Sequence, residues 1–151
     1  MTPPATERTA RQDRAAILNL LEEIARAHYE KSAAGIAAPY APHAVIFDLE
    51  PPLVHDGIDP KRKEAWLGIW EGPVTIATKG IEVKVTGDVA FAHGYVRLAG
   101  RKKGAARDVD FWMRQTVCLE RRDGNWRIVH EHTSVPFYMD ESLRPAFDLK
   151  P

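Results

Sequence analysis

The stretch Glu120–Ser134, ERRDGNWRIVHEHTS, decides how this chain folds. Asp123-Gly124 lies between two runs in which apolar and polar residues alternate. That pattern predicts two strands joined by a tight turn, with Gly supplying the positive φ such turns need. The second arm carries His130 and His132 on either side of Glu131. Setting Arg122 opposite Asn125 puts Leu119 against Ile128, Val117 against His130 and Gln115 against His132. Strand side chains alternate between faces. One face then holds Val117, Leu119 and Ile128 near the turn, with Gln115, His130, His132 and Ser134 at the far end. Greasy near the turn and polar beyond it, this face has the composition of a binding pocket. Arg114, Thr116, Glu131 and Thr133 fall on the opposite face. A one-residue bulge would exchange the faces beyond it.

Three more strands are predicted upstream of this arm. Val74–Thr86 and Val89–Ala99 flank the Gly87-Asp88 turn, and Asp108–Arg121 follows the basic tip Gly100–Gly104. Earlier still, Ile17, Leu20, Leu21, Ile24 and His28 recur every three or four residues, predicting a helix from Glu7 to about Ser32. Ala44–Asp48 reads as a short strand ended by Pro51-Pro52. Asp59-Pro60 opens a second helix, Asp as cap and Pro in the first turn, running to about Trp70. Helices first and an antiparallel meander after them predict an α+β domain. Its curved, cone-shaped sheet has the N-terminal helices packed on the concave face. The expected organisation is a disordered terminus over residues 1–7, one domain over 8–138 and a tail over 139–151.

Composition narrows the function classes. The chain has 151 residues, with Lys+Arg and Asp+Glu equal at 21. A balanced charge leaves no electrostatic footprint for nucleic acid or an anionic membrane. No run approaches the ~20 apolar residues of a membrane span. The N-terminus lacks the apolar segment of a secretory signal, and one cysteine, Cys118, allows no internal disulfide. The expectation is a cytoplasmic protein with neither nucleic-acid nor membrane partner. His130 and His132 stand about 7 Å apart on one face, close enough to share an ion. No motif supplies a third ligand, so no metal and no cofactor are expected. His132, further from the turn, is the better candidate for acid–base work. Trp66 and Trp70, at helical spacing, are candidates to line or cap the pocket.

The order of elements, the segment YAPHAVIFD (Tyr40–Asp48) and the ending WRIVHEHTS (Trp126–Ser134) resemble the nuclear transport factor 2-like superfamily. This cystatin-like cone is shared by ketosteroid isomerase, SnoaL-like polyketide cyclases and the association domain of calcium/calmodulin-dependent kinase II. The resemblance implies a homodimer that binds a small molecule in the cone. It places Asp48 at the position of the isomerase's proton-shuttling base. The isomerase's two oxyanion donors would fall at Ile24 and Thr116, neither of which is the family's tyrosine or carboxylic acid. GYVRLAG (Gly94–Gly100) resembles the strand bearing a pocket arginine of the association domain. That adds Arg97, and by alternation Tyr95, as ligand-orienting residues. Two functions follow as expectations. One is a cofactor-independent isomerase or cyclase acting on a carbonyl compound, with Asp48 or His132 as base. The other is a non-catalytic ligand-binding or oligomerisation module.

Overall fold

The computed structural model describes residues 5–151, with side chains described from residue 9. The disorder expected over residues 1–7 thus falls largely outside the described residues, and the backbone is helical from Ala5. The chain runs α1 (Ala5–Tyr29), α2 (Ala33–Ala37), β1 (Tyr40–Phe47), β2 (His55–Asp56), α3 (Pro60–Gly68), β3 (Trp70–Thr86), β4 (Val89–Lys102), β5 (Val109–Arg122) and β6 (Asn125–Ser134). The six strands form one sheet in the order β2-β1-β6-β5-β4-β3. Strands β3 to β6 are the expected antiparallel meander. Strand β1 joins it parallel to β6, since helices and loops, not a hairpin, connect the two in sequence.

The apolar stripe of α1 is what closes the cone. Ile17, Leu21 and Ile24 pack on Val83, Val117, Leu119 and Ile128 at its narrow end. Ile17, Leu119 and Ile128 are fully buried, each stabilising the fold by roughly 1.5–3 kcal/mol. Asp13 pins the same end. Its carboxylate accepts from Arg121 at 2.9 and 2.7 Å and from the Trp126 indole at 3.2 Å, and the guanidinium holds its pKa below the usual range. A second cluster, Ala27, Ala33, Ile36, Leu67, Trp70 and Val74, closes the wide end. Helix α3 starts as the sequence predicts, with Asp59 capping the Lys61 amide at 3.0 Å. It ends at Gly68, so Trp70 is the first residue of β3.

Bulges bend the sheet. Strand β3 slips against β4 between Glu71 and Thr75 and again between Lys79 and Glu82. Gly80 there has φ +64°, and Gly94 opposite lies so close that a Cβ would stand 2.6 Å from the Ile81 Cδ1. The third slip matters most. Cys118 pairs with His130 but Leu119 pairs with Ile128, leaving Val129 as an extra residue in β6. It exchanges the faces of β6 from His130 onward. Glu131 and Thr133 turn inward; His130, His132 and Ser134 turn outward. The pocket assignment of those three residues is therefore corrected.

No helix among the described residues is long and apolar enough to cross a membrane.

Candidate functional site

Between the two core clusters lies a cavity of about 190 Å³. Apolar side chains from α1, β3, β4 and β5 make its walls: Leu21, Ile24, Ile76, Val96, Leu98 and Met113. Polar groups converge on one side: His28, Tyr40, Asp48, Lys63, Gln115, Glu131 and Thr133. An apolar cavity with a few convergent polar groups is the usual form of a small-molecule site.

Glu131 is its chemical centre. The Tyr40 hydroxyl donates to its Oε2 in a short hydrogen bond. Residual exposed surface on Glu131 faces the cavity, and loss of hydration raises its carboxyl pKa. The bonds from Tyr40 and Thr133 and the charge of Lys63 pull the other way, while the charge of Asp48 adds to the rise. Tyr40 itself is pushed well above its ordinary value by burial and by the adjacent carboxylate. Its proton is therefore committed to Glu131. Tyr40 holds Oε2, and Thr133 is a second hydrogen-bonding neighbour of the carboxyl.

His28 reaches the cavity one helical turn beyond Ile24. Its Nδ1 lies 2.8 Å from the Ile24 carbonyl oxygen. A carbonyl can only accept, so Nδ1 carries the proton and Nε2 keeps its lone pair. Burial lowers the His28 pKa to about 4, which leaves the ring neutral near pH 7. The ring packs edge-on against Trp66, 6.0 Å between centroids.

The mouth is more open. Asp48 is exposed at the end of β1, and the Lys63 ammonium stands 4.9 Å from the Trp66 ring centroid. Asp48, Glu50 and His55 bring one ligand atom each within 4.8 Å of one another, the arrangement among these residues that could hold a cation. Arg62 already meets that need. Its guanidinium donates to Glu50 at 2.6 Å and contacts the His55 ring closely.

Asp48, Trp66 and Gln115, all anticipated from sequence, line the cavity. The others do not. Trp70 is buried in the wide-end core, 1% exposed, its indole N–H without a partner among the described residues. Arg97 and Tyr95 project from the outer face of β4, where Val96 and Leu98 take the inward positions. Arg97 there forms a two-point ion pair with Asp110, at 2.7 and 2.6 Å. His130 binds the Val45 carbonyl at 2.7 Å, and Phe47 packs edge-on against both His130 and His132. Sequence reasoning missed Glu131, Thr133, Tyr40, His28 and Lys63 as site residues. His28 did carry a signal: it sits on the apolar stripe of α1, four residues from Ile24.

Known proteins share this architecture. The model of the SnoaL-like domain family matches residues 17–138. A nuclear transport factor 2-like protein of unknown function from Pseudomonas putida is 33% identical, with a TM-score of 0.81 over 93% of this chain and 98% of that one. A protein from Novosphingobium aromaticivorans, provisionally described as a scytalone dehydratase, is 14% identical with a TM-score of 0.77, over 95% and 99% of the two chains. One from Shewanella frigidimarina, provisionally described as a ketosteroid isomerase, is 21% identical with a TM-score of 0.62, over 77% and 92%. One from Xanthomonas campestris, provisionally described as a calcium/calmodulin-dependent kinase II association domain, is likewise 21% identical with a TM-score of 0.67, over 78% and 84%. A search of curated proteins finds no match. With the family model matching residues 17–138 and a 33% identical relative matching over almost its whole length, the chain belongs to the SnoaL-like domain family within the nuclear transport factor 2-like fold.

Proposed function

We propose that this protein binds a small cyclic carbonyl compound in the cone and moves protons on it without a cofactor, as an isomerase or cyclase does. The Glu131 carboxyl carries the reading. It is desolvated, oriented by Tyr40 and Thr133, and lines an apolar cavity. A carboxyl whose pKa is raised toward neutrality can both take a proton and return it. Glu131 removes a proton from the carbon next to the carbonyl. The Gln115 amide receives the oxygen as it gains charge. His28 Nε2 accepts from a ligand hydroxyl. Asp48, in a water-facing setting, is the second carboxylate, suited to exchange protons with solvent. His132 has no part in this scheme, because it points away from the cavity.

The test needs no knowledge of the natural substrate. Cyclohexanone in heavy water exchanges its α-protons only slowly. Wild-type protein should accelerate that exchange, followed by proton NMR, and Glu131→Gln should remove most of the acceleration. Equal rates for the two proteins would refute the role of Glu131. One observation favours a second reading, a non-catalytic binding module: Ile24 stands where the isomerase has an oxyanion donor, and the Tyr40 proton is already used. Ligand binding without exchange would select that reading.

The same proposal includes a homodimer through the outer face of the sheet, where Phe47, Phe91 and Tyr95 are 38–44% exposed. Native mass spectrometry giving a monomer at micromolar concentration would exclude it.

A further inference from the structure

Three spaces adjoin at the mouth of the cone. The inner cavity measures about 190 Å³. Beside it, between Asp48, His55 and Arg62, lies a space of about 130 Å³. On the far side of Tyr40 a surface groove of about 300 Å³ runs between Ala37, His43 and Asp56. Among the residues lining these spaces, Ile58 alone lines all three. It is half-buried, in the short link between Gly57, at φ +68°, and Asp59, the cap of α3. Both neighbours hold the backbone in place. Gly57 donates its amide to the Ala44 carbonyl at 2.7 Å, and Asp59 is fixed by its bond to Lys61. Ile58 thus stands where the three spaces meet; Ile46, Asp48, Glu50, Lys63 and Trp66 also lie between the inner cavity and the second space, and Tyr40 between the inner cavity and the groove.

Size then decides what fits. An apolar cavity of roughly 150 Å³ accepts benzene. The inner cavity has room for one ring with a few substituents, and a second fused ring would use up that remaining room. The polar lining offers the acceptors Asp48, Glu131 and His28 Nε2 beside the donors Lys63 and Gln115. These suit hydroxyl groups on that ring.

We propose that the site takes single-ring, hydroxyl-bearing molecules and that Ile58 sets the limit, as the side chain that borders the inner cavity and both outer spaces. This rests on the reading of the cone as a ligand site and adds its substrate class. Shortening Ile58 to Ala joins the spaces and admits a second ring. Enlarging it to Phe reduces the room left for one.

Phenol and 2-naphthol are the probes, with dissociation constants from calorimetry for wild type, Ile58→Ala and Ile58→Phe. Thermal melts establish first which variants fold, and either variant alone suffices. Wild type should favour phenol at least tenfold. Ile58→Ala should bring that ratio near or below one, and Ile58→Phe should weaken phenol at least fivefold. Wild type binding both probes equally would overturn the size limit. A phenol preference unchanged within twofold in the folded variants would overturn the role of Ile58. Wild type binding neither probe would instead refute the ligand-site reading itself.

Discussion

Lowering the pH should destabilise this protein through one residue, His28. Its ring is half-buried beside Trp66 and is held neutral, with a pKa of about 4 against an ordinary 6.5. The unfolded chain takes up the proton at about pH 6.5, but the folded chain resists it until about pH 4. Between those values the unfolded state binds more protons, so stability rises with pH and falls on acidification. Two-state linkage with these two pKa values gives a loss of about 0.8 kcal/mol at pH 6, about 2 kcal/mol at pH 5 and about 3 kcal/mol at pH 4. Other groups also change pKa on folding. Asp13, with its lowered pKa, loses its contribution as it protonates, whereas Glu131, with its raised pKa, favours the folded state on protonation. A comparison with His28→Phe removes both. The variant keeps a ring against Trp66 but has nothing to titrate there. Urea unfolding at pH 7, 6, 5 and 4 should show the wild type losing stability faster than the variant, by about the amounts above. Parallel curves for the two proteins, or an imidazole NMR titration of His28 near its ordinary value, would refute the neutral assignment.

Tyr40→Phe should push the Glu131 pKa higher still and cost roughly 1–3 kcal/mol, because a desolvated carboxyl loses its donor; carbon-13 carboxyl titration and urea unfolding check the two effects. Ile128→Ala, at a fully buried position beneath α1, should cost roughly 2–5 kcal/mol in the same unfolding experiment. Deleting Val129 removes the bulge and drives Glu131 outward and His130 and His132 inward. The deletion should abolish cooperative unfolding by circular dichroism, and a variant as stable as wild type would show that the bulge does not set the faces.

The sequence by itself determined the main elements, though not the short α2 and β2. The spacing of Ile17, Leu21 and Ile24 specifies a helix with one apolar stripe, and Asp59-Pro60 specifies where α3 begins. Asp123-Gly124 fixes the last turn, because only a few residue types tolerate its backbone angles: the structure has φ +50° at Asp123 and +77° at Gly124. These are local signals, each decided within a few residues. Trp66 and Gln115 reach the cavity as read, Trp66 on its predicted helix and Gln115 on β5, whose pairing with β4 is unbroken; Asp48 reaches it at the position the family resemblance implied.

What the tertiary structure decided was which face each strand shows to the cavity. Ile128-Val129-His130 carries no local mark of a bulge, since a β-branched residue in a strand is ordinary. Pairing on both edges puts it there. Against β5 the register breaks between Cys118 and Leu119, and against β1 it breaks between Tyr40 and Val45, flanking the same residue of β6. One extra residue then turns every later side chain over, because strand periodicity is two. That single step moved Glu131 into the cone and the two histidines out of it. It also let Glu131 meet Tyr40, 91 residues earlier in the chain. The partners that make Glu131 reactive are brought to it only by folding.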